Sequence, residues 1–302
     1  MTLYSNPKCF YIKINIRYLL TKIDAKSVFS PKAINMSKAE KEMSFLEHLE
    51  VLRWHLVRSA IAILLLAVLA FVFKNIIFDS ILLGPKNADF WTYRMFCKLS
   101  YFLNFGDALC IGKDLQFELI NTDMSGQFTT HISTSIIAGI VFAFPYILFE
   151  FWTFIKPALT NKESTYAKGT VFWGSLLFGM GTLFGYFLIA PLSVQFLGNY
   201  QVSDLVSNRI NLSSYISTVT LVTLSCAFVF ELPLLVFFLS KLGLLTPQFM
   251  RKFRKHAVVV VLIVAAIITP PDVTSQILVS LPLLVLYEIS IFISASVNKK
   301  NN

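Results

Sequence analysis

The sequence predicts an all-α integral membrane protein with six spans, and three observations predict it. The 302 residues are 56% hydrophobic and only 14% charged, with mean hydropathy +0.67, whereas soluble domains carry about 25% charged residues. The apolar residues fall in runs of membrane length. The cations lie between those runs, most of them on alternate sides. A net charge of +9 would suit nucleic acid if it were gathered on one domain. It is not, so no nucleic-acid partner is expected.

A spanning helix needs about 20 mainly apolar residues. The runs are roughly Leu56–Phe78, Ile132–Ile155, Thr170–Leu192, Ser213–Ser240, Ala257–Thr269 and Ser275–Val297. The first four are unambiguous by length. The fifth has thirteen residues between His256 and Pro270, about 20 Å of helix against a hydrocarbon core of about 30 Å. It must thin the bilayer, shelter behind neighbours or stop short. The same pressure falls on the sixth, joined to it by the turn Thr269–Asp272, so the last two spans are expected to be short. Prolines stop the fifth helix and Asp272 caps the sixth.

Orientation follows from Lys and Arg. Twenty lie before the first span, after the second, after the fourth and in the tail; six lie on the other side. Both termini are therefore expected in the cytoplasm. Residues 1–43 carry eight Lys/Arg against Asp24, Glu40 and Glu42. They read as a mobile cytoplasmic extension before an older start at Met36 or Met43, with an organelle targeting peptide as the alternative. The membrane domain then covers 44–297 and the cytoplasmic tail 298–302.

Cys97 and Cys110 share the external loop, about residues 79–128, and in an oxidising compartment they can pair. The loop also holds an aromatic stretch, Phe90–Phe105, expected as a cap at the outer interface. The sequence contains no phosphate-binding GxxxxGK[ST], no HExxH and no GxSxG. Its four histidines, His48, His55, His131 and His256, show no ligand spacing. No enzyme, cofactor or metal is expected, and the energy for any work comes from outside the chain.

Three acids lie inside spans. A charge at the bilayer centre costs at least ~2.5–3.5 kcal/mol on insertion scales. Glu150 and Glu288 sit near cytoplasmic lysines, where interfacial anchoring or pairing with bases accounts for them. Glu231 lies about 14 Å from the span's end, with no deep Lys or Arg in any other span to meet it. It is either a structural hydrogen-bonding acid or one that faces a wet cavity.

Four stretches together carry a resemblance: Phe45–Ser59, Phe144–Glu163, Phe230–Leu239 and Ile268–Ile291. Their order and the six-span layout resemble the TatC family, the core receptor subunit of the twin-arginine protein translocase, over about residues 44–297. The resemblance implies a cupped molecule in the bacterial inner membrane, an organellar membrane being the alternative. It implies binding of twin-arginine signal peptides of folded cargo, recruitment of single-span TatA/TatB-type subunits into an oligomeric complex, and drive by the proton-motive force. The signal-peptide residues it implies are Leu52 and Arg53, then Phe154, Pro157 and Glu163. Carboxylates accept guanidinium in fork geometry with charge-assisted bonds, and Glu163 is the one acid among the three lysines of its loop. The chain departs from the family pattern with Val51 for a glutamate and His55 for an arginine. Glu50 is the expected substitute acid and Glu47 the alternative. Glu231 matches the family's intramembrane glutamate, where a polar residue of a partner helix can meet it. Pro85 and Asp272 match family positions that shape the external face. The rival readings are a proton-coupled secondary transporter using Glu231, which would show repeated halves and broken helix pairs, and a membrane scaffold without a cargo site.

Overall fold

The computed structural model describes residues 45–87, 89–104, 106, 110, 117–155, 167–203, 208–269 and 273–301. The chain divides into Met1–His48 and Leu49–Asn302. Of the first unit only the helical backbone of 45–48 is described.

Five helical stretches are long and apolar enough to cross a membrane: Leu49–Val72, Gly126–Ile155, Gly169–Asn199, Leu212–Lys241 and Ser275–Lys299. They lie in α1 (Phe45–Val72), α3 (Gly126–Ile155), α4 (Ala167–Phe184) with α5 (Ala190–Asn199), α6 (Leu212–Val229) with α7 (Leu232–Lys241), and α10 (Val273–Asn301). Between them stand α2 (Trp91–Phe102), α8 (Pro247–Lys252) and α9 (Arg254–Ile268). The protein is therefore a helical, multi-pass membrane protein.

The expected fifth span is α9, fifteen residues or about 22 Å, below membrane length as its sequence required. Its neighbour corrects an expectation. α10 runs 29 residues, so only one of the last two helices is short. The prolines at 270 and 271 limit where α10 can start, but nothing in the sequence limits its far end, and the helix continues past Val297 to Asn301. Pro282 lies inside it without ending it.

Two other spans are not continuous. The third passes through a π-helical segment, Gly185–Ile189, just before Pro191. The fourth breaks at Phe230 and Glu231, which form a turn between α6 and α7. Pro233 explains that break: it lacks an N–H to donate to the carbonyl four residues back, and its ring disfavours helix in the residue before it. The proline starts α7 instead.

Close backbone approach holds the spans together. A Cβ on Gly181 of α4 would lie 2.7 Å from the Phe230 Cβ and 2.8 Å from the Ala227 Cα. One on Gly139 of α3 would lie 2.7 Å from the Ile63 carbonyl of α1. Small residues let membrane helices approach until dispersion and packing hold them. Above these contacts Phe144 and Phe178 stack face to face. A larger core joins Ile189, Val222, Cys226, Ala265, Val279 and Leu283 across the third, fourth and last spans and α9. The side chains pointing the other way, such as Leu64, Leu65, Ile267 and Phe292, are more than half exposed, as a surface that meets lipid requires.

The connecting segments are tied down too. Strands β1 (Glu118–Ile120) and β2 (Arg209–Asn211) pair in parallel. α2 buries Thr92, Tyr93 and Ser100 while leaving Trp91 and Phe102 exposed. The Tyr93 hydroxyl is shared between the Pro85 carbonyl at 2.8 Å and the Pro191 carbonyl at 3.1 Å, and Thr92 donates to the Phe187 carbonyl. Cys97 and Cys110 are joined as a disulfide. The aromatic stretch thus forms a cap docked on the π-helical segment of the third span.

Candidate functional site

The start of α1 presents an exposed charged turn. Glu50 Oε1 lies 3.1 Å from Arg53 Nη2, one helical turn on, with both side chains more than half exposed. The Arg53 guanidinium sits 5.6 Å from the centre of the Trp54 ring. Leu52 is half-buried, as are Val51, His55 and Ser59. The helical spacing of these positions defines the face that α1 turns inward.

One turn further in, that face carries a polar contact that closes on α3. His55 Nδ1 lies 2.5 Å from Glu150 Oε2, and the Tyr146 hydroxyl donates to Glu150 Oε1 at 2.6 Å. Glu150 is 4% exposed. Each carboxyl oxygen has its own partner, which is what a buried carboxylate requires. The Phe154 ring stands edge-on to the imidazole at 6.1 Å. Val51 and His55, the two positions where the sequence departs from the family pattern, therefore lie on the face of α1 that turns toward α3. His55 is spoken for by an acid on that helix.

Glu288 is paired as well, accepting from Arg254 at 2.7 Å. Both outer acids of the spans thus have a basic partner, as their positions suggested. Sequence reasoning did not name the partners. His55 and Glu150 are 95 residues apart, and the one available signal was that an apolar helix face carried an imidazole while another carried a carboxylate.

Glu231 stands apart from this group, at the break between α6 and α7. It lies beside Gly174 and the Phe178 backbone of α4. Neither of its buried carboxyl oxygens makes a hydrogen bond of normal geometry. Gly174 permits the approach, since a Cβ there would lie 2.5 Å from Leu148 and 3.5 Å from the Glu231 carboxylate. An apolar groove of about 650 Å³, lined by Trp173, Leu177, Pro233, Leu234, Phe237 and Phe292, opens from the start of α7, two residues on, and Glu231 itself does not line it.

Of the remaining residues singled out in the sequence, Pro85 is buried, and its carbonyl accepts the bond from the Tyr93 hydroxyl. Pro157, Glu163 and Asp272 lie outside the described residues, as does the side chain of Glu47. The structure therefore brings His55, Phe154 and Glu150 to one junction of α1 and α3, with half-buried Leu52 and exposed Glu50 and Arg53 on the turn of α1 just before it.

The chain is thus a helical, multi-pass membrane protein whose first span opens on an exposed charged turn, with a buried His55–Glu150 contact beneath it and an acid at the break of its fourth span. The family described as Sec-independent protein translocase protein (TatC) matches residues 47–282, and the chain belongs to it. A Sec-independent protein translocase protein TatC from a Blattabacterium of Periplaneta americana is 40% identical, covering 88% of this chain and all of that one. The protein so named from Desulforapulum autotrophicum is 34% identical over 88% of this chain and 90% of its own. Among solved structures, the crystal structure of the twin arginine translocase receptor TatC superposes with a TM-score of 0.63 at 33% identity. It covers 83% of this chain and all of that chain.

Proposed function

We propose that this chain is the receptor subunit of a twin-arginine translocase, binding the doubled arginine of signal peptides on folded cargo at its cytoplasmic face. The observation that carries the reading is the family match, which runs from just before the charged turn of α1 to the last span. The exposed Glu50 and the junction beneath it support a recognition surface built on α1 and the end of α3. Glu163, in the segment that follows α3, supplies the principal carboxylate, and Pro157 and Phe154 shape its approach. Guanidinium binds such carboxylates through paired N–H donors, a geometry that ammonium lacks.

Six spans, α9 counted among them, leave both termini in the cytoplasm of a bacterium and the disulfide-linked loop outside. Residues 1–43 precede the membrane domain, and 298–302 follow it. Glu231, with its bare carboxyl oxygens at the break of the fourth span, meets a polar residue on the single helix of a TatA/TatB-type subunit. Transport draws on the proton-motive force. The transporter reading would need paired broken helices in repeated halves, and no internal repeat is legible in the sequence.

The test is a photoreactive signal peptide carrying Arg-Arg or Lys-Lys, cross-linked to the full chain in membranes. Labelling near Glu163 with Arg-Arg and not with Lys-Lys is expected, and Glu163→Ala is expected to abolish it. Equal labelling by both peptides overturns the reading in favour of a scaffold.

A further inference from the structure

At the end of α10 a polar notch of about 460 Å³ opens between that helix and α8, lined by Thr246, Gln248, Arg251, Asn298 and Lys299 among others. Its volume lies within the range of small-ligand sites, about 300–1,000 Å³. Two cations and two side-chain amides converge on it, and no acid lines it. Glu288, an acid of the same helix, is already occupied by Arg254. The notch is also held in shape. Tyr287 of α10 donates to the Met250 carbonyl of α8 at 2.9 Å, and Met250 is buried against Val236 and Ile291. The Thr246 hydroxyl caps the start of α8 by accepting from the Phe249 N–H.

A second observation indicates which anion it takes. Leu242, Leu244, Phe249 and Phe253 are exposed, and the two phenyl rings pack at 4.6 Å. They stand among Arg251, Lys252, Arg254 and Lys255. Exposed aromatic and aliphatic side chains interleaved with cations are the composition of a segment lying in the headgroup layer. A free solute would find the cations but have no use for the apolar residues. Basic pockets between membrane helices hold anionic headgroups.

We infer that the notch between α8 and the end of α10 binds the phosphodiester of an anionic membrane phospholipid. Arg251 and Lys299 take the phosphate oxygens, Gln248 and Asn298 the headgroup hydroxyls, while Phe249 and Phe253 dip into the acyl layer. The inference goes beyond cargo recognition and rests only on the chain being a multi-pass membrane protein.

Native mass spectrometry of the full chain in neutral detergent, titrated with phosphatidylglycerol or phosphatidylcholine, tests it. The wild type should prefer phosphatidylglycerol by at least about tenfold. Arg251→Gln and Lys299→Gln should each weaken that lipid by about fivefold and together by about thirtyfold, with a smaller effect on phosphatidylcholine, whose quaternary ammonium already offsets the same phosphate charge. Arg251→Lys with Lys299→Arg should retain the preference, and Lys74→Gln with Lys98→Gln should not affect it. A wild type without preference, or a doubly neutralised variant that keeps it, overturns the site. Displacement of the lipid by equimolar inorganic phosphate overturns the lipid assignment, since the notch would then be a site for free anions. If the neutralised variants do not fold, the wild-type preference and the charge-swapped variant decide.

Discussion

His55 and Glu150, 95 residues apart in sequence, meet at 2.5 Å and fasten the first span to the second. Breaking a buried pair by removing one partner leaves the other uncompensated, typically at about 3–5 kcal/mol. Glu150→Ala should therefore lower the melting temperature of the detergent-solubilised protein clearly, and His55→Ala should do so less. Combining them should be less damaging than the two losses added together, by at least about 1 kcal/mol in a double-mutant cycle. Additive losses would show that the contact contributes nothing.

Glu50 and Glu47 compete for the role of second acid at the recognition surface. Glu50→Gln should weaken binding of an Arg-Arg signal peptide by about tenfold, a charge-assisted bond being worth about 1.5–3 kcal/mol. Glu47→Gln should leave it within about twofold. The reverse ranking, read by fluorescence titration of a labelled peptide, would transfer the role to Glu47.

On the proposed function, Glu231 is expected to separate binding from transport. Glu231→Ala should leave peptide binding intact and impair complex assembly or export of a folded, signal-bearing reporter. Normal export by the variant would reduce this acid to a structural element.

Two glycines two residues apart on α4, about 3 Å of helix, should behave oppositely. Gly181→Ala places a methyl against the backbone of α6 and should destabilise by about 1–3 kcal/mol, the usual effect of overpacking. Gly179→Ala meets nothing within 4 Å and should be neutral or mildly stabilising, because alanine favours helix over glycine by about 1 kcal/mol. Thermal melts of the two variants side by side make the comparison.

The cap formed by α2 should loosen in alkali. Burial raises the Tyr93 phenol above its ordinary value of 10.0, so the folded state favours the neutral form. Its stabilisation is complete below the unfolded value and declines as pH rises past it. Tyr93→Phe removes a buried donor shared by two carbonyls and should be destabilising by about 1 kcal/mol at neutral pH. The variant should also lose part of the pH dependence above about 10. An unchanged alkaline profile would mean another group sets it.

The spans were legible because membrane helices must satisfy their backbone internally and turn apolar side chains to lipid. Composition therefore reports them directly, and even the shortness of α9 follows from the distance between His256 and Pro270. The length of α10 was not legible, because a tight turn constrains where a helix begins and says nothing about its end. The break at Glu231 was written in Pro233, two residues on, yet the apolar run reads as continuous. At the candidate site, Glu50, Arg53 and Glu231 stand out as charges among apolar residues. The His55–Glu150 pairing depends on how two helices rotate against each other, which a single sequence does not encode locally. The notch at Arg251 and Lys299 needed two segments, far apart in sequence, brought together.

Pro233 has one more effect. Its ring nitrogen gives the Val229 carbonyl no proton to accept, so the fourth span carries an oxygen near its middle that ordinary helix pairing cannot quench. Hydrocarbon offers such an oxygen nothing. Whatever settles against this break, a solvent molecule or the hydroxyl of a visiting helix, would find a carbonyl freed by an imino acid two residues before an acidic side chain.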